Sequence, residues 1–285
     1  MHAVTIEIPA TTSNLGPGYD CLGVALGLAN RVTVTRGDGK PVLPMAQEAA
    51  EAFFARSGRE AFTFGCEIAG DVPMSRGLGS SVTLRMGVVT GLNALAGKPL
   101  SRRQVFEICA GLEGHPDNAA PAQFGGFTVA GGGEGAMPLR FPVDSALKFV
   151  LLIPDFEVRT ADSRRILPED VSRKAAVASS ARACRITAAF AARKYELLRD
   201  GFEDSAFHQP HRLPLVPFLS KVLLAGRAAG ALGGFLSGSG STVACLTLTE
   251  PETVAAAMLE ASGLPGARTV ITQANNRGTR LLNTA

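Results

Sequence analysis

The sequence Gly-Leu-Gly-Ser-Ser at residues 77–81, at the start of an apolar run from Val82 to Leu95, is the feature that most constrains this chain. The run is compatible with a buried helix. Glycine permits positive φ angles and a close approach of the backbone to a ligand. The first turn of a helix leaves amide N–H groups unpaired and carries the positive end of the helix dipole. The segment therefore predicts an anion-binding loop at a helix N-terminus, although serine and glycine also cap helices that bind nothing.

Two common phosphate-binding motifs do not match this loop. No Gly-Lys-Ser/Thr follows the glycines, as a Walker A loop requires, and Val82 stands where a Rossmann fingerprint has its third glycine. A Ser-His-Asp hydrolase is also disfavoured, because the chain has no Gly-x-Ser-x-Gly elbow.

Composition narrows the class of protein further. A chain of 285 residues with 46% apolar and 19% charged residues is typical of a globular protein of one or two domains. The 28 basic and 25 acidic residues form no basic run, so we expect no nucleic-acid partner. No apolar run approaches the roughly 20 residues that cross a bilayer, so we expect no membrane partner. Five scattered cysteines and no visible signal peptide predict reduced thiols and a cytoplasmic location.

Hydrophobic periodicity predicts a mixture of helices and strands, and therefore an α+β fold. Ser101 with Gln104 predicts a capping box that begins a helix ending near Leu112. The other predicted helices span residues 47–56, 82–95, 173–199, 217–229 and 251–262. The predicted strands span residues 4–8, 31–35, 62–68, 125–130, 148–153, 243–248 and 268–272. A domain boundary is predicted near residue 145, where the part of the chain that carries most motifs ends.

Three further segments accompany the glycine-serine loop. They read IPATTSNLGPGYDCLG at residues 8–23, EGHPDNAAPAQFGGF at 113–127 and LSGSGST at 236–242. In this order and at these intervals, the four segments resemble the GHMP small-molecule kinases, most closely the branch that acts on the amino alcohol homoserine. The resemblance covers nearly the whole chain. It implies a ribosomal-S5-like N-terminal domain at residues 1–145, a ferredoxin-like C-terminal domain at 146–285, and an active site between them.

The reaction implied by the resemblance is ATP-dependent phosphorylation of the side-chain hydroxyl of L-homoserine, a step toward threonine. The substrate is then a small molecule, and the resemblance leaves a homodimer open. Two alternatives remain at this point: the same chemistry on another amino alcohol such as L-threonine, and a non-catalytic relative that binds ligand. A nucleotide-hydrolysis assay with and without homoserine separates the three.

The resemblance also assigns the nucleotide and metal sites. Mg²⁺ is expected on Ser81 and Glu107, because the family uses a loop serine and a glutamate of the helix before the HPDN-like loop. Glu113, next to that loop, is the alternative. Arg76 adds charge to the loop in this interpretation, but it is equally compatible with a solvated surface residue. The nucleotide-binding residues are then Arg76, Gly77, Leu78, Gly79, Ser80 and Ser81.

The substrate residues follow from the same motifs. Asn14 and Asp20 of the N-terminal motif are expected to contact the substrate, with Arg164 and Arg212 binding its carboxylate. Arginine suits that role because its planar fork pairs with a carboxylate through two hydrogen bonds. Arg165 is a weaker alternative to Arg164. The catalytic residues implied are Asn14, Asp20, Asp117 and Asn118, and Asp20 and Asp117 are the candidates for a base.

The chain departs from the family pattern in two places. Pro44 stands where an asparagine near the adenine is common, and Val82, Thr83 and Arg85 are bulkier than the small residues that usually follow the loop. Proline has neither an N–H group nor a side-chain amide to recognise a base. These differences predict an intact phosphate site and weak discrimination between nucleotide bases.

Overall fold

The protein contains two antiparallel sheets with helices packed against them. The computed structural model describes residues 2–133, 135–199, 201–204 and 206–284. The strands are β1 Ala3–Ser13, β2 Leu22–Arg36, β3 Phe64–Gly70, β4 Phe127–Val129, β5 Leu139–Phe141, β6 Lys148–Ile153, β7 Gly233–Leu236, β8 Val243–Thr247, β9 Arg268–Gln273 and β10 Arg280–Thr284. The α-helices are α1 Pro44–Ser57, α2 Ser80–Leu95, α3 Arg102–Glu113, α4 Ala119–Phe124, α5 Thr160–Arg165, α6 Arg173–Ala192, α7 Gln209–Arg212, α8 Leu219–Ala228 and α9 Pro251–Ser262.

The first sheet has the order β10-β1-β2-β4-β5, with β3 paired to the second half of β2. Alternation in β1 directs its apolar side chains to one face, where Val4 lies opposite Val34 and Ile6 opposite Val32 of β2. Helix α2 is apolar around most of its circumference because it packs both on this face and against α1 and α3. This packing places the N-terminus of α2 beside the end of β1, where the Thr11 amide donates a hydrogen bond to the Leu78 carbonyl oxygen.

The second sheet has the order β7-β8-β6-β9, and helices α8 and α9 pack together on it. Its strands and these two helices follow one another as β-α-β-β-α-β, which is the ferredoxin-like connectivity expected for this half of the chain. The mixed α+β class is confirmed.

The last described strand, in the part of the chain assigned to the C-terminal domain by the prediction, lies in the first sheet. After β9 the chain leaves the second sheet, and β10 pairs with β1 in the first. There the Arg280 side chain also forms an ion pair with Glu7. Asn276, just before β10, bonds to the main chain of Val143 between the two sheets.

Several predicted elements have different bounds in the structure. Helix α1 begins at Pro44 rather than residue 47, because proline suits the first helical position, whose N–H has no partner in a helix. Strand β2 begins at Leu22 rather than residue 31. The capping box of Ser101 and Gln104 is present, so that prediction is confirmed. Among the helices described, none combines the length and the apolarity needed to cross a membrane.

Candidate active site

A cleft of about 710 Å³ lies where the two halves of the protein meet. The first half contributes the turn after β1, the loop before α2 and the loop before α4. The second half contributes α5, α7 and the turn at residues 238–239. The motifs that the sequence singled out therefore meet in one place.

The glycine-serine loop forms the start of α2 along one side of this cleft. Gly77 and Gly79 have φ angles of 72° and 71°, in the left-handed region. A Cβ atom at these positions would overlap the Ser237 carbonyl oxygen and the Thr11 hydroxyl, respectively. No side chain caps the helix, whose first residues are Ser80 and Ser81. The N-terminus of α2 therefore offers its amides and hydroxyls to an anion.

The two other predicted residues of this loop do not line the cleft. Leu78 is buried and packs in the core between the sheets. Arg76 donates hydrogen bonds to the carbonyl oxygens of Pro154 and Met74, and it lies 3.6 Å from Asp155 and 3.4 Å from Glu157. Leu78 thus supports the loop from behind, and Arg76 joins it to the second half of the protein.

The hydroxyl of Ser81 donates a hydrogen bond of 2.9 Å to Glu113 Oε2. Glu113 is 8% exposed and lies in the cleft. Glu107, by contrast, faces away from Ser81 and pairs with Arg103 at 2.8 Å and Arg56 at 3.1 Å. The expectation that Glu107 lies beside Ser81 is therefore corrected: the neighbouring carboxylate is Glu113, the alternative.

Arg85 lies one helical turn after Ser81 and pairs with the second oxygen of Glu113. It also donates a hydrogen bond of 3.2 Å to Glu48. Burial lowers the pKa of Arg85, but the charges and hydrogen bonds of the two glutamates outweigh it, so the pKa is raised and the guanidinium stays charged. The bulky residue that distinguishes this chain after the loop thus holds Glu113 in place.

Asn14 and Asp20 form a closed turn at the opposite end of the cleft. Both have positive φ, 72° and 57°, which asparagine and aspartate tolerate better than most residues. Asn14 Oδ1 accepts a hydrogen bond from the Asp20 amide, and Asn14 Nδ2 donates one to the Gly238 carbonyl oxygen. Arg164 donates two hydrogen bonds to the Asp20 carboxylate, of 2.7 and 3.2 Å. Asn14, Asp20 and Arg164 are thus brought together, whereas the alternative Arg165 pairs with Asp162 at the surface.

The loop before α4 adds Asp117 and Asn118 to the same cleft. Asn118 Nδ2 donates to Asp117 Oδ1 and to Ser13 Oγ, and Asn118 Oδ1 accepts from the Thr11 hydroxyl at 2.7 Å. His115 Nδ1 is hydrogen-bonded to Asp117 Oδ1. Burial lowers the pKa of His115, but the hydrogen bond and charge of Asp117 raise it by more. The side chains of Asp117 and Asn118 are therefore fixed by their neighbours before any ligand binds.

Arg212 is a buried cation in the cleft, 2% exposed. It donates hydrogen bonds to the Ser163 and Gly238 carbonyl oxygens and to His208 Nδ1. In the part of the chain that the structure describes, no carboxylate lies within ion-pair distance of it. Burial, together with the charge of Arg164, lowers its pKa. A buried guanidinium without a counter-ion is an attractive site for an anionic group.

Sequence reasoning missed two residues that line the cleft and one that lies behind it. It noted Arg85 only as bulky, although Arg85 lies four positions after Ser81 and hence on the same helix face. It did not single out Tyr19, whose ring lies 5.6 Å from the guanidinium carbons of Arg164 and Arg212. The third is His208, whose spacing of four residues before Arg212 could have indicated a contact.

Comparisons with known proteins agree with the fold. Residues 44–126 match the family described as GHMP kinases N terminal domain, and residues 186–263 match GHMP kinases C terminal. A homoserine kinase of Moorella thermoacetica is 37% identical over 93% of this chain and 95% of its own. One of Microchaete diplosiphon is 39% identical over 90% of each chain. The crystal structure of homoserine kinase from Cytophaga hutchinsonii has a TM-score of 0.89 at 25% identity, covering 99% of this chain and 98% of that one. The chain therefore belongs to the homoserine kinase family of the GHMP kinases.

Proposed function

We propose that this protein transfers the γ-phosphoryl group of ATP to the side-chain hydroxyl of L-homoserine. The observation that carries the proposal is the arrangement of one cleft, which has a helix N-terminus suited to phosphates at one end and Asp20, Arg164 and Arg212 at the other. The family of the chain supports the same reaction, since its relatives bear the name homoserine kinase.

The charges at the far end of the cleft fit a short zwitterion. Asp20 and the Asn14 amide oxygen are acceptors for an ammonium group, and Arg164 and Arg212 are donors for a carboxylate. Arg164 and Asp20 pair with each other, so an amino acid that binds there exchanges one internal ion pair for two. A carboxylate without an ammonium group, as in mevalonate, would take Arg164 from Asp20 and leave Asp20 uncompensated, and a neutral sugar would leave Arg212 without an anion.

The start of α2 fits a nucleotide polyphosphate. Gly79, Ser80 and Ser81 lie at the uncapped helix end and line the cleft, where free amides and the helix dipole favour negative charge. Ser81 Oγ and the Glu113 carboxylate are hard oxygen donors at hydrogen-bond distance from each other, which is a donor set that Mg²⁺ prefers. These two residues would hold the ion. When bound, Mg²⁺ would supply positive charge that neutralises the phosphates.

The protein's part in the reaction is mainly to position the reactants. The substrate hydroxyl attacks the γ-phosphorus in line, a new O–P bond forms, and the bond from that phosphorus to the bridging oxygen of ADP breaks. Asp117 and Asn118 lie between the two ends of the cleft and are held by His115, Thr11 and Ser13. We propose that they orient the hydroxyl and that Asp117 or Asp20 accepts its proton.

The direct test is an ADP-release assay with Mg-ATP and a panel of acceptors. We expect kcat/KM for homoserine to exceed that for threonine, serine, mevalonate and galactose. An acceptor at least tenfold better than homoserine, about 1.4 kcal/mol of transition-state preference, would refute the assignment. Release of ADP with none of them, despite binding of homoserine, would favour a non-catalytic relative.

Two further aspects of the protein remain proposals. We propose a cytoplasmic location, because none of the five cysteines forms a disulfide. A homodimer is a prediction that sedimentation equilibrium of the purified protein tests directly.

A further inference from the structure

We infer that His208 is a positioning residue that orients the guanidinium of Arg212 toward the carboxylate of the amino-acid substrate. This inference rests on the proposed function in one respect: it takes Arg212 as the group that binds the carboxylate. His208 itself lies behind Arg212 and does not line the cleft.

The hydrogen bonds of His208 specify a single tautomer. The ring is fully buried, with Nε2 2.8 Å from the Gly16 carbonyl oxygen and Nδ1 3.1 Å from Arg212 Nη1. A carbonyl oxygen only accepts and a guanidinium only donates. Both contacts are therefore satisfied only when Nε2 carries the proton and the Nδ1 lone pair faces Arg212.

The segment that carries His208 is itself held firmly. Asp204 is buried, and its carboxylate accepts backbone hydrogen bonds from the segment that begins α7. The ring of Tyr19 stacks on the imidazole at 5.5 Å. The amides that donate to Asp204 are those of Ala206, Phe207, His208 and Gln209. The imidazole is thus a rigid support for the arginine.

The electrostatic surroundings keep this support uncharged. Burial and the charge of Arg212 lower the pKa of His208, against the opposing effects of Asp204, the hydrogen bond with Gly16 and Asp117. A protonated ring would place a second cation against Arg212 and would lose the acceptor that Arg212 uses. Near neutral pH the imidazole is therefore an acceptor for the guanidinium.

The contact with Gly16 connects the two halves of the substrate site. Gly16 belongs to the turn that carries Asn14 and Asp20, which are proposed to bind the ammonium group. His208 thus relates the position of the carboxylate-binding arginine to that of the ammonium-binding turn. The ammonium and carboxylate groups of an α-amino acid are a fixed distance apart. The groups that bind them must therefore also stay at a constant distance from each other.

Two amide variants separate the role toward Arg212 from the role toward Gly16. His208→Asn places an amide oxygen near the position of Nδ1 and keeps an acceptor for Arg212. His208→Gln reaches the position of Nε2 and keeps a donor for Gly16. We expect His208→Gln to raise the KM for homoserine about tenfold or more, with the KM for ATP and kcat at saturating homoserine within about threefold of wild type. His208→Asn should keep all three constants within about threefold.

Equal effects of the two variants, or a larger effect of His208→Asn, would overturn the inference, because the bond to Gly16 would then matter more. In the Arg212→Ala background, His208→Gln should not change the KM for homoserine further; an additive effect would also overturn it. An unchanged KM in Arg212→Ala alone would refute the proposed carboxylate site instead.

A measurement on the wild-type protein avoids the question whether the variants fold. A ¹H–¹⁵N spectrum of histidine-labelled protein distinguishes the two neutral tautomers. We expect His208 to carry its proton on Nε2. A proton on Nδ1 would leave no acceptor for Arg212 and would refute the inference.

Discussion

Glu107 and Glu113 lie on the same helix but face different directions. They are six positions apart on α3, which corresponds to a rotation of about 240° around the helix axis. Only one of them can therefore face Ser81, and in the structure it is Glu113. The sequence motif predicted Glu107 of this helix beside Ser81, whereas the carboxylate that contacts Ser81 is six positions later.

Substitution by glutamine tests this register. Glu113→Gln keeps the size of the side chain but removes the charge that a bound Mg²⁺ requires, so we expect kcat to fall on the order of 100-fold or more. Glu107→Gln is the matched control. It loses only exposed ion pairs with Arg56 and Arg103, which are worth about 0–1 kcal/mol. Steady-state rates over a Mg²⁺ titration measure both variants, and a nearly normal Glu113→Gln beside an inactive Glu107→Gln would contradict the structure.

Arg164 and Arg165 offer a second matched pair. Arg164→Ala removes a proposed carboxylate ligand, and we expect the KM for homoserine to rise about 10- to 100-fold. This increase in KM is smaller than for a fully buried ion pair, because the Arg164 side chain is 38% exposed and water screens its charge. Arg165→Ala should leave the KM unchanged, since that side chain is 78% exposed and pairs with Asp162. If the two variants exchange these results, Arg165 is the ligand.

The site could be predicted where its residues are close in sequence. The residues from Gly77 to Ser81 indicate a helix start, because their backbone preferences are local. Asn14 and Asp20 lie in one turn, so their proximity is also a local property. Contacts between distant segments could not be predicted in the same way. The bond from Ser81 to Glu113 and that from Arg212 to Gly238 depend on how whole elements pack, which no local spacing specifies.

At the scale of an element, helix α2 serves two purposes at once. The body of the helix packs against β1 and β2 in the core, while its first turn lines the cleft. Packing of the helix body thus fixes the direction of the free amides at its N-terminus. A change at the first turn should therefore affect ligand binding, and a change at the other end should affect stability alone.

Gly79 and Gly97 allow this difference to be measured. Both have positive φ, 71° and 83°, so alanine is strained at either position by about 1–2 kcal/mol. A Cβ atom at Gly79 would also overlap the Thr11 hydroxyl that supports Asn118, whereas nothing lies within 4 Å of one at Gly97. We expect Gly79→Ala to weaken nucleotide binding and lower Tm, and Gly97→Ala only to lower Tm. Calorimetric titration with ATP and thermal unfolding measure the two effects; normal affinity in Gly79→Ala would contradict the role of the loop.

The start of α1 and the end of β3 form the apolar side of the cleft. Leu43, Pro44 and Met45 line it opposite Ile68 and Val72. The nearby side-chain amide of Asn30 is already occupied, because it donates to Thr83 and accepts from the Val72 amide. This part of the cleft can therefore surround a base, but its side chains offer little to recognise the edge of one.

Affinity for the nucleotide should consequently come mostly from its phosphates. We expect GTP or ITP to support turnover within about tenfold of ATP, a difference of roughly 1.4 kcal/mol. Competition between the three nucleotides at constant homoserine measures it. A loss of a thousandfold with GTP would show that backbone groups of the cleft recognise adenine.

At the scale of the whole molecule, the chain returns to its first sheet after completing the second. Hydrophobic periodicity predicted the buried strand β6 and the amphipathic α9 correctly, since each buries a face that its own sequence displays. It did not predict β10, a short strand whose pairing with β1 depends on the far end of the chain. The first part of β2 was also missed, because glycine and alanine interrupt its alternation.

Asn276 is one of the residues that hold the returning segment of the chain in place. Its side-chain amide donates a hydrogen bond of 2.8 Å to the Val143 carbonyl oxygen and accepts one of 2.9 Å from the Val143 amide. Val143 is 3% exposed, so its polar groups have little access to water when this amide is removed. The two bonds tie the segment before β10 to the connection between the sheets.

Replacement of Asn276 should therefore lower stability without affecting the reaction. Asn276→Ala leaves a buried N–H and a buried C=O without partners, which costs about 1–3 kcal/mol in the free energy of unfolding. The KM values for homoserine and ATP should stay unchanged, because Asn276 does not line the cleft. Arg277→Ala is the control, since that side chain is exposed and should leave the free energy of unfolding within about 0.5 kcal/mol of wild type. Urea unfolding of the three proteins decides the matter: equal stability of Asn276→Ala and Arg277→Ala would mean that the two bonds to Val143 contribute little, and that other contacts, such as the pairing of β10 with β1, hold the end of the chain to the first sheet.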